Sequence, residues 1–403
     1  MGDRSSVAPQ GMPREVWILG WVSLLMDVSS EMIHSLLPLF LVGTLGAGAF
    51  AVGLIEGLAE STALIARVFS GTLSDWLGRR KGLAVFGYAL GALTKPLFAI
   101  APGAGFVMLA RWLDRIGKGI RGAPRDALLA ELAPAQLRGA AFGLRQSLDT
   151  AGAFIGPLLG VGLMLLWDDD FRAVFWVATL PGLLAVVLLG TGIREPVRPE
   201  HTQRVRQPIR RDSLRRLGTD YRRVVGIGTI LTFARFSEAF LVLRAQQAGI
   251  PIALVPLVMV AMNLVYAASA YPFGRLSDRI SQRRLLAIGL VVLIAADLLL
   301  ASSAHWPTIL AGVALWGVHM GTTQGLLAKM VVDTTPADLR GTAFGVFSLA
   351  SGIAMLAASA LGGLLWDRLG APSTFLAGAI FCLIALAALV WTSRRGDPGR
   401  RRQ

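Results

Sequence analysis

The sequence predicts an all-α membrane protein with twelve transmembrane helices arranged as two parallel repeats of six helices. Three observations lead to this prediction: long apolar segments recur along the chain, basic residues cluster in alternate loops, and two loop sequences occur twice. Of the 403 residues, 54% are hydrophobic and only 16% are charged, whereas soluble proteins carry about 25% charged residues. Apolar segments of about 20 residues are long enough to cross the hydrocarbon core of a bilayer.

Twelve such segments can be placed, and they are numbered here as spans 1 to 12 in chain order. They lie near residues 15–43, 49–73, 82–101, 104–131, 137–166, 171–193, 222–247, 252–276, 284–303, 306–333, 339–367 and 372–393. We expect an N-terminal six-helix half over residues 1–193 and a C-terminal half with a basic tail over 222–403. An Arg-rich, Pro-containing linker covers 194–221.

The positive charge is distributed unevenly between the loops. The formal net charge is +14, and basic residues cluster at 79–81, 194–223, 279–284 and 394–402, whereas the loops 42–50 and 101–106 contain none. Loops rich in Lys and Arg stay in the cytoplasm. We therefore expect both termini and the linker to be cytoplasmic, which requires an even number of spans. Topology and contact with anionic lipid explain the excess charge, so nucleic acid is not expected as a partner.

Two loop sequences of the first half return in the second. Residues 132–143 (LAPAQLRGAAFG) correspond to 334–345 (TTPADLRGTAFG), and 71–75 (GTLSD) correspond to 274–278 (GRLSD). The matching residues are mostly Pro, Arg, Gly and Asp of loops, which chance similarity between apolar segments does not explain. Internal repeats around a midplane cavity are typical of transporters.

Residues 71–81 (GTLSDWLGRRK) resemble the loop motif between spans 2 and 3 of the major facilitator superfamily. The resemblance implies the facilitator fold, rocking of the two halves, and a cytoplasmic gate in which Asp75 acts with Arg79 and Arg80. The second copy retains Asp278 and Arg283, but Ser281 replaces the motif glycine, which predicts a weaker contact there.

Two further segments resemble superfamily motifs. Arg111 precedes a glycine-containing stretch in span 4, and residues 152–160 (GAFIGPLLG) are similar to the span-5 pattern of the antiporter branch. That branch exports solutes in exchange for protons. Glycine at these spacings lets helices approach closely, so ordinary helix packing is the alternative interpretation of this segment. Its defining residues are Gly152, Gly156, Pro157 and Gly160.

Ionisable residues within the spans are costly in lipid and are therefore candidates for function. In span 1, Asp27, Glu31 and His34 are spaced to lie on one helical face. The carboxylates of spans 1 and 2 are candidates for proton coupling: Asp27, Glu31, Glu56 and Glu60. Candidates for binding the substrate are His34, Lys118, Arg121, Arg125, Asp126 and Arg235.

The span-1 cluster permits more than one interpretation. Asp27 or Glu31 can take up and release a proton, since burial favours the neutral form of a carboxyl group unless a cation stabilises its charge. Alternatively, Asp27, Glu31 and Glu56 are permanent partners of Lys118, Arg121 or Arg125. The Glu31-x-x-His34 spacing also suits metal ligands, with Asp27 as a further ligand, although a polar His with satisfied hydrogen bonds explains it too.

Residues 114–127 (DRIGKGIRGAPRDA), 27–32 (DVSSEM) and 57–61 (GLAES) are similar to a subgroup of bacterial facilitators. The subgroup contains nickel-resistance permeases and members of unassigned substrate, and it implies a bacterial inner membrane. A nickel permease is expected to have a His-rich tail, whereas this sequence ends with Arg400, Arg401, Arg402 and Gln403. The cations of span 4 also suit an anionic substrate, such as a carboxylate or a metal chelate.

The sequence contains no P-loop spacing, no Ser-His-Asp arrangement and no zinc-ligand pattern, so we expect neither an enzyme nor a cofactor. We predict a monomeric, proton-coupled exporter of a small solute: a metal ion, a metal chelate or an organic compound. One alternative is a proton symporter that imports an anionic solute. An alternative of another class is a membrane receptor that transports nothing.

Overall fold

The computed structural model describes residues 11–77, 80–195, 216–276, 279–303, 305–323, 326–336 and 339–395, with residues 72–73, 75–77 and 391–395 described as backbone only. All regular secondary structure in these ranges is helical. Helices occur at all twelve predicted positions, and most of their boundaries fall within a few residues of the predicted ones.

In the first half, the helix of span 1 is Arg14–His34, followed by the short helix Leu37–Leu39 and a π-helical turn, Phe40–Thr44. Spans 2 to 6 are Ala49–Leu77, Arg80–Ala99, Ala104–Leu132, Arg138–Leu166 and Phe171–Gly192. In the second half, span 7 consists of Thr219–Ala234 and Ala239–Gln247, and spans 8 and 9 are Leu257–Leu276 and Gln282–Ser302. Span 10 comprises Trp306–Thr323 and Leu326–Asp333, and spans 11 and 12 are Arg340–Leu369 and Ala371–Arg395. Short 3₁₀ turns, Ala135–Leu137 and Ile252–Leu254, precede spans 5 and 8.

Spans 1 and 7 are both interrupted, but for different reasons. In span 1, Pro38 has no N–H to donate to the carbonyl of His34, so the regular helix ends there. Span 7 has no proline at its interruption, which covers Arg235 to Glu238. There, the Ser237 N–H donates to Ser359 Oγ of span 11 at 3.1 Å, which satisfies a backbone donor that the helix has released.

Ten helical segments of the described chain are long and apolar enough to cross a membrane. The other two predicted spans are helical but less apolar. Span 4 has 29 residues and includes the charged residues Arg111, Asp114, Arg115, Lys118 and Arg121. Span 10 is described as two helices on either side of residues 324–325. The described helices of span 10 are not long and apolar enough to be recognised as a membrane span by length and composition, but span 10 occupies the position of one between spans 9 and 11.

The two halves share one packing pattern in the part of the chain that the structure describes. In the first half, span 1 packs against spans 5 and 6, span 4 against spans 2 and 3, and span 3 against span 6. The second half packs in the same way: span 7 packs against spans 11 and 12, span 10 against spans 8 and 9, and span 9 against span 12. Most of the linker lies outside the described residues, so the domain boundaries at 193 and 222 remain predictions.

The halves meet mainly along spans 2 and 11, and also along spans 5 and 8. Small residues form the first contact: a Cβ added to Gly57 would lie 3.0 Å from Leu356 Cα, and one added to Gly53 would collide with the carbonyl oxygen of Ser359. At one end of this contact, Asp367 accepts hydrogen bonds from the N–H groups of Ala49 (2.8 Å) and Phe50 (2.9 Å). A carboxylate of the second half therefore caps a helix of the first.

Candidate functional site: two adjoining central cavities

Two adjoining cavities lie between the halves. The first, called the charged cavity, has a volume of about 380 Å³. Its ionisable lining residues are Asp27, Glu31, Glu60, Arg67, Lys118, Arg121, Arg125, Asp149 and Tyr266. The second, called the mixed cavity, has a volume of about 410 Å³. Its ionisable lining residues are Glu31, His34, Glu56, Glu60, Arg115, Lys118, Arg235 and Glu238. Glu31, Glu60 and Lys118 line both cavities, which therefore share a wall.

Glycines of span 5 bring span 1 close to this wall. A Cβ added to Gly152 would lie 2.9 Å from Asp27 Cβ, and one added to Gly156 would lie 2.8 Å from Glu31 Cβ. Gly160 continues the contact one turn further, at 3.7 Å from the carbonyl oxygen of Met32. The span-5 glycines thus pack directly behind the two carboxylates that face the cavities.

Glu56 lies at the centre of a buried ion-pair network. Its carboxylate accepts two hydrogen bonds from Arg111, from Nε at 3.1 Å and from Nη2 at 2.8 Å. His34 bridges two carboxylates, with Nε2 at 3.4 Å from Glu56 Oε2 and Nδ1 at 3.4 Å from Glu31 Oε2. The side chains of Glu56 and Arg111 are 0% and 1% exposed. Each charge is thus compensated by a partner, as buried ions require.

A second network joins spans 3 and 4. Lys95 Nζ lies 2.8 Å from Asp114 Oδ1 and 3.1 Å from Ser30 Oγ. Arg115 lies between Asp114, at 3.9 Å, and Glu60, at 3.4 Å. Many of the charges in spans 2 to 4 are therefore paired with each other. The partners differ from the predicted ones, because Glu31 and Glu56 pair with His34 and Arg111 and not with Lys118, Arg121 or Arg125.

Three side chains of the charged cavity are not neutralised in this way. Among the described residues, Asp27 and Lys118 form no hydrogen bond and no ion pair within 4.0 Å. Arg121 stacks over the ring of Tyr88 at 4.8 Å, and its Nη1 has no hydrogen-bond partner. The cavity is thus lined by one carboxylate, Asp27, and two cations, Lys118 and Arg121, that form no ion pair within the described part of the protein.

Asp126 and Arg125 form a cluster at the end of span 4. Asp126 pairs with Arg125 at 3.0 Å and with Arg67 at 3.2 Å, and Arg145 lies 4.0 Å away. Arg145 also pairs with Asp149 on the next turn of span 5. Arg125 and Asp149 line the charged cavity, whereas Asp126 is not among its lining residues. Asp126 therefore does not line the cavity, and among the candidate substrate residues its ion-pair partner is Arg125.

The second half contributes an apolar wall to the mixed cavity. The aromatic residues Phe236 and Trp316, whose ring centroids are 5.5 Å apart, lie beside Met259, Met320 and Met355. Arg235 and Glu238, at the ends of the interrupted segment of span 7, line the same cavity. The predicted residue Arg235 therefore lines the candidate site, although it comes from the opposite half.

Two other polar residues of the second half are buried away from both cavities. Asp297 of span 9 is 0% exposed, and neither of its carboxylate oxygens has a hydrogen-bond partner. It lies against Gly378 of span 12. His319 of span 10 is also 0% exposed, and its Nδ1 lies 2.7 Å from the carbonyl oxygen of Gly289. Neither side chain is among the lining residues of the two cavities.

The predicted gate is described only in part. The side chain of Asp75 and the residues Arg79 and Asp278 lie outside the described part of the structure. Arg80 pairs with Glu131 of span 4 at 2.7 Å, and its backbone N–H donates to Glu195 at 2.7 Å. Arg283 lines a small separate cavity of about 150 Å³ near the start of span 7. The gate as a unit stays a prediction.

Sequence reasoning did not single out several lining residues. Asn263 and Tyr266 of span 8 and the three methionines are uncharged, so their sequence context is that of any apolar span. Glu238 could have been identified as a candidate from the sequence, because it is an ionisable residue within a span. The described residues contain no group of three His, Cys, Asp or Glu side chains that could hold a metal ion, so Glu31 and His34 have no third ligand there.

The sequence matches the Major Facilitator Superfamily model in two stretches, residues 19–243 and 224–403. The chain belongs to this superfamily. A superfamily relative, an uncharacterized MFS-type transporter of Methanocaldococcus jannaschii, is 32% identical over 93% of this chain and 94% of its own. Multidrug resistance protein MdtH of Yersinia pestis is 27% identical over 93% of both chains.

Solved structures confirm the predicted fold of this facilitator. The crystal structure of the nucleoside transporter NupG has a TM-score of 0.79 at 13% identity, and covers 93% of this chain and 99% of its own. The protein is therefore a multi-pass membrane transporter of the major facilitator type, which does not agree with the receptor alternative. These relatives and folds are transporters, which agrees with the expectation that the chain is not an enzyme. The antiporter branch and the nickel-resistance subgroup remain predictions.

Proposed function

We propose that this facilitator is a secondary active transporter that exports a small solute in exchange for protons. The solute is a metal ion, a metal chelate or an organic compound, and the protein acts as a monomer in a bacterial inner membrane with both termini in the cytoplasm. The relative MdtH, a multidrug resistance protein at 27% identity, favours export. The glycine pattern of span 5 favours the same direction.

One observation carries the proposal: Asp27 faces the charged cavity without an ion-pair partner, beside the equally unpaired Lys118. Glu31 is the second candidate carrier, since it lines both cavities and its one partner is His34. Glu56 and Glu60 are held by Arg111 and Arg115. Their role in coupling is to fix the charges around the site. A proton and a solute compete for Asp27. Because only one of them is bound at a time, the protein exchanges one for the other across the membrane.

Alternating access accounts for the position of the cavities. The halves meet near Ala49 and Asp367, at the end that the charge distribution predicts to be periplasmic. The charged cavity extends along span 2 to Arg67 and along span 4 to Arg125, towards the predicted cytoplasmic ends. We assign this conformation to the inward-facing side of the cycle. The cytoplasmic gate of Asp75, Arg79, Arg80, Asp278 and Arg283 closes in the other conformation.

A proton symporter that imports an anionic solute is the second candidate. The unpaired cations Lys118 and Arg121 favour it, because an anion bound to them would stabilise the protonated form of Asp27. Proton and solute would then travel together. The two candidates differ in the direction in which a pH gradient drives the solute.

The test uses everted membrane vesicles that contain the full chain and whose interior has been acidified by respiration. A panel of metals, chelates and organic compounds is added while the internal pH is followed with a fluorescent amine. An exported solute should raise the internal pH as protons leave. Asp27→Asn and Glu31→Gln should abolish this response, because an amide cannot carry the proton.

Asp169→Asn is the matched control, since Asp169 lies in an exposed loop at a positive φ of 64° that Asn tolerates. It should behave like the unmodified protein. An undiminished response in both single variants would remove Asp27 and Glu31 as carriers. If protons and solute enter together in right-side-out vesicles, the symporter replaces the exporter.

A further inference from the structure

The interruption of span 7 is a built feature of the mixed cavity. Arg235, Phe236, Ser237 and Glu238 all line this cavity, and none of them is helical. Ser237 holds the segment in place, since its N–H donates to Ser359 Oγ at 3.1 Å and its Oγ accepts from the Ala239 N–H at 3.2 Å. Transporters place interrupted helices where charged groups of a substrate bind.

Arg235 and Glu238 carry opposite charges and are partly accessible, yet they do not pair. Among the described residues, neither forms a hydrogen bond or an ion pair within 4.0 Å, either with the other or with a third group. Charged side chains on a cavity wall can form charge-assisted hydrogen bonds with oppositely charged groups of a ligand. Two opposite charges that are held apart at one cavity are complementary to a ligand that carries both.

The wall around these charges is apolar and adaptable. The Phe236 ring lies edge-on to Phe240 and 5.5 Å from Trp316, and Met259, Met320 and Met355 complete the wall. Methionine side chains are flexible and polarizable, so they accommodate apolar groups of varied shape. A bare metal ion or a small inorganic anion would leave this surface unused. An organic body would bury it.

The opposite wall offers one more cation. Glu56 is already paired with Arg111, Glu31 with His34 and Glu60 with Arg115. Lys118 forms no hydrogen bond and no ion pair within 4.0 Å among the described residues. The cavity volume of about 410 Å³ falls within the range of about 300–1,000 Å³ that is typical of small-molecule sites.

We propose that the mixed cavity binds a zwitterionic organic molecule with a bulky apolar body. Its anionic group lies between Arg235 and Lys118, its ammonium group lies on Glu238, and its body packs against Phe236, Trp316 and the methionines. This inference rests on the proposed transport function and specifies the class of solute. The ammonium group of the solute disfavours protonation of Glu31, the candidate proton carrier that lines the same cavity, and this links the movement of the solute to that of the proton.

Four related probes test each part of the proposal by calorimetric titration of the full chain in lipid nanodiscs at neutral pH. 3-(2-Naphthyl)-L-alanine carries both charges and the body, its methyl ester lacks the anion, its N-acetyl derivative lacks the cation, and L-alanine lacks the body. We expect the first to bind at least about tenfold more tightly than each of the others, since each lacks one charge-assisted or apolar contact. Equal affinity of the parent probe and any one derivative overturns the proposal, and so does the absence of binding by all four.

Two charge-removing variants assign the contacts. Glu238→Gln should weaken the parent probe and the ester about tenfold, but leave the N-acetyl derivative unchanged. Arg235→Gln should weaken the parent probe and the N-acetyl derivative, but leave the ester unchanged. Asp169→Asn should change none of these affinities. If a variant loses affinity for all four probes equally, its fold is damaged. The affinities of the four probes for the unmodified protein then decide whether the cavity binds a zwitterion.

The vesicle assay separates this inference from the function on which it rests. If a metal or an anion raises the internal pH through Asp27 while the zwitterionic probe does not bind, the exporter stands and this class of solute is wrong. If the probe binds but no compound moves protons, the site stands and the proton-coupled exporter is wrong.

Discussion

The pairing of Glu56 with Arg111 illustrates how single residues stabilise a charged centre within a membrane protein. Both side chains are almost fully buried and form two hydrogen bonds with each other, while His34 adds a contact at 3.4 Å. A buried ion pair of this kind adds little net stability to the fold, because the cost of removing both charges from water offsets their attraction. The loss of one partner is costly, because the other charge then stays buried without compensation.

Glu56→Gln should therefore lower the free energy of unfolding by roughly 3–5 kcal/mol, because the Arg111 charge loses its compensating carboxylate. Thermal unfolding of the purified protein in detergent would measure the effect. Adding Arg111→Met to this variant should recover part of the loss, since both buried charges are then removed. A melting temperature equal to that of Asp169→Asn would contradict the assigned role of the pair.

At this scale, the sequence predicted most of the ionisable residues that line the cavities, although the predicted residue Asp126 does not line them, but not which residues pair. The helical spacing of Asp27, Glu31 and His34 is sufficient to place them on one face of span 1. Spacing along one helix carries no information about the helix opposite, so the contact of Glu56 with Arg111 could not be read from it. The methionines of the mixed cavity carried no signal at all, because an apolar residue in a span is usually a packing residue.

Among the helices, the contact of span 5 with span 1 depends on residues without side chains. Gly152 and Gly156 lie against the backbone of span 1 at Leu24 and Val28. This closeness fixes the positions of Asp27 and Glu31 relative to the cavities. On the same helix, Gly162 has open space around it, with nothing within 4 Å of an added Cβ.

The two glycines should respond differently to the same substitution. Gly156→Ala would place a methyl group 2.8 Å from Glu31 Cβ and 2.9 Å from the carbonyl oxygen of Val28, which separates the helices and costs about 1–3 kcal/mol of stability. Gly162→Ala should be neutral or slightly stabilising, because alanine favours the helix. Melting temperatures of the two variants provide the measurement. An equal response would indicate that spans 1 and 5 do not pack as described.

The helix boundaries were largely predictable, whereas the interruption of span 7 was not. Apolar length and basic flanks define a span well, and Pro38 gives a reason for the end of the span 1 helix. Residues 232–240 (TFARFSEAF) contain neither proline nor glycine. The helix ends there because Ser359 and Ser237 itself supply hydrogen bonds from outside the regular pattern. Such contacts exist only once spans 7 and 11 have packed.

In the whole molecule, Asp367 connects the two halves at their predicted periplasmic end. Its carboxylate accepts from two N–H groups at the start of span 2, where the helix dipole also favours a negative charge. The repeat in the sequence predicted two similar halves. It could not predict this contact, because Asp367 lies outside the repeated loop motifs and its partners are backbone groups.

Asp367→Ala should weaken the closure of this end by about 1 kcal/mol, the typical value of a helix cap, and so increase the open population about fivefold. Spin labels at Thr44 and Arg368, in a chain whose native cysteine has been replaced (Cys382→Ala), would report the distance between the halves. We expect a larger fraction of long distances. A distribution identical to that of Asp169→Asn would exclude Asp367 as a stabiliser of the closed end.

Spans 2 and 11 touch through Gly53, Gly57, Gly352 and Gly363, with backbone lying against backbone. Bulky side chains lock neighbouring helices by fitting ridges into grooves, and changing such a register means lifting one surface out of the other. The contacts at these four glycines are largely with backbone atoms, so few side chains interlock there. At these glycines, the two helices can therefore rotate against each other without first separating.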